Sequence, residues 1–292
     1  MLGSHIKYES KMTNTLQSAH SLGCQSFQCF LGSNLTAKRS RVFDDDIALF
    51  NTFNEQLKIN VFTHAPYIYN LAASVKHNAL AHKGNTVVDA QIQTYIHSLT
   101  YELEVLGKLS APQKGVVLHI GSSISGVDRN DALSAVVTSI NQIQIPKTSY
   151  LLLETMVGRK NVLGTSFEEL ASICKMCKQP EQLKICIDTA HVFANGNYNL
   201  TFSHEVDRCF EEFLTYFDHD ISKLGCIHLN DSQVPFASKK DRHQLIGHGH
   251  IWSSNDGMNS YKQFCQKAIE YNLPMVLETS VDDLSNAKQR MI

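Results

Sequence analysis

The chain has 292 residues, of which 43% are hydrophobic and 18% charged, a composition with ample apolar material for a sizeable folded core. A formal net charge of −2 excludes a global positive field that would draw in a polyanion, so any phosphate binding must rest on local features. No apolar run of about 18 residues and no charged-then-apolar leader occurs, which excludes a helical membrane span and gives no sign of a signal peptide.

The elements follow in order. Met1–His5 is a short candidate strand ending at a His, and Asn14–Leu22 reads as a helix stopped by Gly23. The apolar run Phe27–Leu31 leads into the polar loop Gly32-Ser33-Asn34, and Ile47, Phe50, Phe53 and Leu57 have helical spacing. Val61–His64 is the third strand; residues 72–90 read as a loop with a short helix, followed by a helix over Gln91–Leu106 that Gly107 closes. Ala111–Gly115 is a turn, Val116–His119 the fourth strand, and Ala132–Ile143 a helix. Tyr150–Leu153 runs into Glu154, and Ser166 with Glu169 forms a capping box opening the next helix.

The chain is organised around Leu183–Ala194, where a buried strand, Ile185–Ile187, ends abruptly at Asp188 with His191 three residues on. A helix over Glu205–Tyr216, a strand over Gly225–His228, a polar loop holding Asp241-Arg242-His243, a helix around Tyr261–Glu270 and a last strand, Met275–Glu278, complete the series.

Eight strands, each followed by helical or loop sequence and with no break between domains, match the arithmetic of a single (β/α)8 TIM barrel over residues 1–292. In such a barrel the carboxyl ends of the strands face the active site. Six runs end on a metal-ligand type: His64, His119, Glu154, Asp188, His228 and Glu278. One such residue after a strand is usually structural; six at one end of one barrel are not accounted for by chance.

His191, Asp241 and His243 bring the set to five imidazoles and four carboxylates. Asp241 and His243 are two apart, so an extended segment carries both on one side. Nine groups exceed one tetrahedral site and suit two or three ions with a bridging carboxylate. Close-set ions of this kind serve in-line phosphoryl displacement. The eight cysteines are scattered, and Cys29, Cys186 and Cys226 lie inside apolar runs as small hydrophobes. That pattern favours a reducing intracellular compartment, cytoplasm or nucleus (or a virion, for a viral protein), over a disulfide framework. Cys174 and Cys177 form C-x-x-C without a second pair at zinc spacing and read as bystanders.

His64-Ala-Pro-Tyr67-Ile-Tyr-Asn70, Ile187-Asp-Thr-Ala-His191, and His228-Leu-Asn-Asp231 followed by Asp241-Arg-His243 resemble three signature stretches of the endonuclease IV family. The resemblance runs from Gly3-Ser-His5 to Leu277-Glu278-Thr279 and implies an apurinic/apyrimidinic (AP) endonuclease with a TIM barrel and three zinc ions, Mn2+ being an alternative at one. It implies one ion on His64, His119 and Glu154, a second shared through Glu154 and held by Asp188, His228 and Glu278, and a third on His191, Asp241 and His243. The implied reaction is hydrolysis of the phosphodiester 5′ to an abasic site in double-stranded DNA during base excision repair, leaving a 3′-hydroxyl. Glu278 or Glu154 would orient the hydroxide. Asn230 and Asp231 are candidates for holding ligands in place. A monomer without membrane association is expected.

The chain departs from the family in the length of the stretch from His64 to His119, longer than in compact relatives, and in two places that bear on DNA contact. Where Asn-Pro-Arg is usual, it has Asn34-Leu35-Thr36-Ala37-Lys38-Arg39, leaving Asn34 and Arg39, or Arg41, as candidate DNA contacts. After Glu154 a glycine-rich run gives way to Met156-Val157-Gly158-Arg159-Lys160, whose basic pair could contact a phosphate. Tyr67 matches a DNA-contacting position. Two other readings stand beside this one: a sugar isomerase or epimerase of the same barrel superfamily, and a non-catalytic metal- and DNA-binding barrel.

Overall fold

Pairing of the first strand with both the second and the last closes this molecule into a barrel. The computed structural model describes residues 1–75, 86–158 and 161–291. Its barrel strands are β1 (Leu2–His5), β2 (Ser26–Cys29), β3 (Asn60–His64), β4 (Lys114–Leu118), β5 (Tyr150–Glu154), β6 (Leu183–Asp188) and β7 (Leu224–His228). A two-stranded hairpin, β8 (Asp231–Ser232) with β9 (His243–Gln244), precedes the last barrel strand, β10 (Met275–Leu277). All eight barrel strands are parallel and closed in the order β1-β10-β7-β6-β5-β4-β3-β2. This is the (β/α)8 architecture the strand count predicts.

Along each strand, odd and even residues face opposite sides. The outward set, such as Val61, Val116, Leu151, Leu153, Ile185, Ile187 and Met275, joins the large core beneath the helices. The inward set forms a separate small cluster, Phe62, Val117, Leu152, Cys186, Cys226 and Val276. Two residues beyond each member stands one ligand type: His64, His119, Glu154, Asp188, His228 and Glu278 in turn. Barrel interiors are filled in layers, and here an apolar layer lies directly under a layer of side chains of metal-ligand type.

Glycine makes that apolar layer fit. A Cβ on Gly115 would come 2.3 Å from Leu152 Cδ1, and one on Gly225 would come 2.9 Å from Leu152 Cδ2.

Nine helices are described: α1 (Met12–Ser21), α2 (Asp44–Leu57), α3 (Thr86–Lys108), α4 (Arg129–Ile140), α5 (Phe167–Met176), α6 (Thr189–Ala194), α7 (Ser203–Tyr216), α8 (Asn255–Glu270) and α9 (Asp283–Arg290). Several boundaries differ from the sequence expectation because the caps are not where apolar periodicity begins. α1 starts at Met12 rather than Asn14, since the backbone N–H groups of Met12 and Thr13 donate to the Asp46 carboxylate at 2.7 and 3.1 Å. That cap comes from α2, far away in sequence. α4 starts at Arg129 rather than Ala132 because Asp128 caps it, and α8 starts at Asn255 because Ser254 does.

Gly107 does not close α3, which runs to Lys108; a Cβ there would lie 3.2 Å from both Pro146 and Thr148, so the glycine serves close packing. At Ser166 half of the expected box forms. Its hydroxyl accepts from Glu169 N, while the Glu169 carboxylate turns to Gly164 N and Thr165 N. Of residues 72–90, the stretch to Val75 lies in a 3-10 turn over Leu71–Val75, α3 begins at Thr86, and 76–85 fall outside the described residues.

Leu152→Ala removes the centre of the inner cluster and is expected to cost about 2–5 kcal/mol, the range for a buried Leu that leaves a cavity. Urea denaturation of parent and variant reads this directly, and a loss below about 1 kcal/mol would show that the barrel interior can collapse to fill the void.

Candidate metal centre

Glu154 lies at the centre of the candidate site. It is fully buried at the end of β5, and its two oxygens face different partners. Oε2 lies 3.2 Å from His64 Nε2 and 3.0 Å from His119 Nε2. Oε1 lies 3.2 Å from His228 Nδ1 and 3.3 Å from His191 Nδ1. One carboxylate therefore borders two groups of donors, as a bridging ligand must. The donor atoms fall into four groups with close mutual spacing, three of which hold carboxylates: His64, His119 and Glu154; Glu154, Asp188, His228 and Glu278; and Asp188, His191 and His243; the fourth is Cys186, Cys226 and His228.

Asp241 completes the third group from the rim. Its carboxylate lies 3.2 Å from both His191 Nε2 and His243 Nε2 and is about half exposed. His243 Nε2 is also 3.5 Å from Asp188 Oδ2, so Asp188 stands between the second and third groups.

The ring nitrogens are oriented from behind. His64 Nδ1 donates to the Ala65 carbonyl at 2.6 Å, leaving Nε2 for the site. His191 sits on α6, a short helix that Asp188 itself caps by accepting His191 N, and its Nδ1 donates to the Thr155 carbonyl at 2.9 Å. His228 Nε2 donates to Gln28 Oε1 at 2.9 Å, which turns Nδ1 toward Glu154 and Glu278. The Gln28 amide then donates to Glu278 Oε1 at 3.0 Å. Asn230 donates to Asp188 Oδ2 at 2.8 Å and to Glu278 Oε2 at 3.1 Å, and accepts from Glu278 N. Fixing the tautomer and the angle of a ligand in this way is how surrounding groups tune metal affinity.

Gln28 and Thr155 escaped the sequence reading. A buried polar residue between apolar Phe27 and Cys29 could have flagged Gln28. Asp231 plays a different part from Asn230. It accepts from the backbone N–H groups of Ser232, Gly247, Gly249 and Ile251, and so gathers the loop beyond the β8–β9 hairpin that carries His243.

The charges do not balance among fixed groups. Glu154 and Asp188 are fully buried and Glu278 nearly so, yet their ion-pair partners among the described residues are all histidines. Uncompensated buried carboxylates are very costly. Without a metal the compensation comes from protons. Burial pushes His228 down, but Glu278 and Glu154 outweigh it and hold it at about 10. His191 is likewise lowered by burial and lifted well above its usual range, chiefly by Asp188. His243, lowered by burial and raised by Asp188 and Asp241, sits at about 8. Burial raises Glu154, and the His119 and His228 charges hold it well below the usual carboxylate range.

The buried nitrogens His191 Nε2 and His243 Nε2 have no hydrogen-bond partner among the described residues. Both face the same carboxylate. Unpartnered imidazole nitrogens beside buried carboxylates are the donor set a divalent ion of the zinc type takes.

The mouth is a cavity of about 260 Å³ lined by these candidate donors together with Tyr67 and Met156. The Tyr67 ring, 49% exposed, packs against His64, His119 and Phe30. Asn34 lies nearby, its carbonyl accepting Tyr67 N at 3.1 Å. Arg39, expected to face DNA, points inward instead. Its side chain is 3% exposed and lies 3.4 Å from buried Glu102, because the carbonyls of its own loop surround the guanidinium. Arg41 stacks over Phe43 at 4.7 Å. Arg159 and Lys160 lie outside the described residues.

The barrel is shared with known proteins. A family model described as a xylose isomerase-like TIM barrel matches residues 16–290. A protein of Staphylococcus carnosus named "Probable endonuclease 4" is 28% identical over 285 residues, spanning 96% of this chain and 87% of its own. Among solved structures, endonuclease IV from Thermus thermophilus superposes with a TM-score of 0.76 at 19% identity, covering 99% of this chain and 97% of that one. A D-tagatose 3-epimerase-like protein shares the fold with a TM-score of 0.65 at 17% identity, covering 98% and 94%.

The protons on His191 and His228 must leave before those nitrogens can bind a metal. Zinc titrated into metal-stripped protein near neutral pH is expected to release at least two protons per chain, one from each of these histidines. Both pKa values are raised, so the protons are held at low pH and zinc affinity should climb as pH rises. Calorimetry in buffers of differing ionisation enthalpy reads the number; release of fewer than one would contradict the proposed proton state.

Asp231→Asn turns an amide toward backbone N–H donors. It is expected to lower stability by about 1–3 kcal/mol, the cost of unsatisfied buried donors. Its metal content, measured by elemental analysis, should also fall below the parent's as the rim group loosens.

Proposed function

Because the chain belongs to the xylose isomerase-like TIM barrel family and, within it, to the endonuclease IV family, we propose that it is a metal-dependent DNA repair endonuclease that hydrolyses the phosphodiester 5′ to an abasic site and leaves a 3′-hydroxyl. The observation that carries this reading is the donor set at the barrel mouth. Three buried carboxylates and five imidazoles form groups that share Glu154 and Asp188, with no lysine or arginine paired to them among the described residues.

His64, His119 and Glu154 would hold one ion, Glu154, Asp188, His228 and Glu278 a second, and His191, Asp241 and His243 a third. Zinc suits all three groups, and Mn2+ suits the more open, carboxylate-bearing rim group as well. Such ions, when bound, supply Lewis acidity toward a phosphoryl oxygen and make water nucleophilic at neutral pH.

The chain's own residues do the positioning. Glu154 sets the spacing of two groups, since each oxygen faces a different one. Gln28 and Asn230 together hold Glu278 at the floor of the cavity, where its carboxylate can orient a water that attacks the phosphate. Burial raises Glu278, but the neighbouring His228 charge outweighs it and holds the carboxyl at about 2, so it accepts rather than donates a hydrogen bond there. The Tyr67 ring covers the His64 and His119 side of the mouth and restricts entry of bulk water.

A sugar isomerase or epimerase would use the same barrel and fewer ions. The β8–β9 hairpin, which brings Asp241 and His243 over the strand ends, favours the nuclease reading. All eight cysteines are free and buried, which fits a reducing compartment, and no described helix is long and apolar enough to cross a membrane.

The test is cleavage of a labelled duplex carrying one abasic site. Incision on the 5′ side with a 3′-hydroxyl product is expected, from protein carrying more than two divalent ions per chain by elemental analysis. A protein with one ion that leaves the duplex intact would sink this reading in favour of a sugar enzyme. Glu278→Gln should keep the fold and lose most of the rate; retention within about tenfold, roughly 1.4 kcal/mol of barrier, would remove Glu278 from the assigned role.

A further inference from the structure

The loop between β2 and α2 is held by a charge buried inside it. Arg39 reaches back through its own loop, and Nη2 donates to the Ser33 carbonyl at 2.6 Å and to the Thr36 carbonyl, while Nε donates to the Ala37 carbonyl at 3.4 Å. From below, Glu102 on α3 lies 3.4 Å from Arg39 Nη1, with the two side chains 3% and 0% exposed. The same face of α3 grips the loop again, one turn earlier and one residue earlier. Ser98 donates to the Ala37 carbonyl at 3.1 Å, and Tyr101 donates to the Ser40 carbonyl and accepts from Val42 N. Residues 98, 101 and 102 share one side of the helix, as spacings of three and four require.

A buried ion pair is a poor way to gain stability, because desolvation offsets the attraction. Both Glu102 oxygens and Arg39 Nη1 lack hydrogen-bond partners among the described residues, which makes this pair costlier still. What the guanidinium does gain is geometric. One planar group with several fixed donors ties together three carbonyls of a short loop, which neither an apolar side chain nor a lysine can do.

The loop is tied to the site through one backbone hydrogen bond. Leu35 projects from it, 65% exposed, and the Asn34 carbonyl accepts Tyr67 N, so the loop also sets the backbone of the residue that covers the metal cavity.

We propose that Arg39 and Glu102 are positioning residues, a buried strut that holds the 33–40 loop and Tyr67 at a set height over the mouth so that duplex DNA meets a pre-formed rim. The consequence for DNA rests on the nuclease reading above; the strut itself does not. Ordering the loop in advance removes a cost that binding would otherwise carry.

The experiment uses full-length, metal-loaded protein and two variants, Arg39→Lys and Glu102→Gln. Hydrogen exchange is followed at residues 33–40 and 67, beside the Michaelis constant for abasic duplex and the turnover of bis(p-nitrophenyl) phosphate, a small diester that needs no loop. Both variants should speed exchange in 33–40 by at least tenfold and raise the duplex Michaelis constant by a similar factor. Small-diester turnover and metal content should stay within about twofold of the parent.

Unchanged exchange across 33–40 in a folded variant would overturn the strut. So would an equal fall in duplex and small-diester turnover. If Glu102→Gln does not fold, Arg39→Lys carries the test, since it keeps the buried charge paired while losing the grip on three carbonyls. A parent that cleaves neither substrate refutes the nuclease reading, and the exchange arm still decides the strut.

Discussion

Everything at the mouth of this barrel follows from burying Glu154, Asp188 and Glu278 together without a fixed cation to pair them. In an interior, three carboxylates within reach of one another repel and are stripped of water, so the fold tolerates them only with positive charge among them. The histidines supply it one way, by taking up protons, and His228 and His191 are pushed upward for that reason. Divalent ions supply it another way, without occupying the imidazole nitrogens with protons. The two states compete for the same atoms. Ala65, Thr155 and Gln28 each hold one ring nitrogen, so that the others face the shared carboxylates, and a donor set so arranged is of the kind that divalent ions take.

The barrel provides the floor on which that charge rests. Phe62, Val117, Leu152, Cys186, Cys226 and Val276 close the interior one layer below the ligands. Because side chains alternate, a residue two places beyond each of these points the same way and lies one layer higher. A single apolar layer therefore both excludes water from beneath and sets the height of six donors. The two thiols in that layer are buried and paired across β6 and β7 beneath Asp188 and His228, and burial keeps Cys186 protonated by pushing its thiol well up. They act as small apolar filling, in keeping with their place inside apolar runs.

Short apolar runs separated by helical or loop stretches, and the ligand types at which six of them end, made the barrel and the gathering of those side chains at one end readable from sequence. Each is a local pattern repeated eight or six times over, and repetition turned weak signals into a strong one. What escaped was non-local. The start of α1 depends on Asp46, a residue of another helix, and no pattern near Asn14 reports it. Gln28 is polar where the barrel turns inward, but its role appears only when His228 and Glu278 arrive from distant strands. Arg39 misled for the same reason. An arginine in a polar loop looks solvated, and only the chain's path shows that Glu102 waits behind it. Asn230 and Asp231, adjacent in sequence, differ entirely: one touches two buried carboxylates of the site, while the other ties down a loop through backbone N–H groups.

That last pair explains how the donor set extends beyond the strand ends. A closed barrel has only eight strand ends, and most of the available height here is taken by the first two groups. The third group draws His191 from a short helix capped by Asp188 and draws Asp241 and His243 from the β8–β9 hairpin. Those pieces lie outside the barrel wall, so they need their own supports, and Asp231 supplies one by gathering Gly247, Gly249 and Ile251 beneath the hairpin. Exposure rises in step, from fully buried Glu154 and Asp188 to Asp241 at about half exposed. Through Asp241 the rim group is thus both the one that opens most to solvent and the one most dependent on loop structure, which places access and mechanical weakness at the same corner of the site.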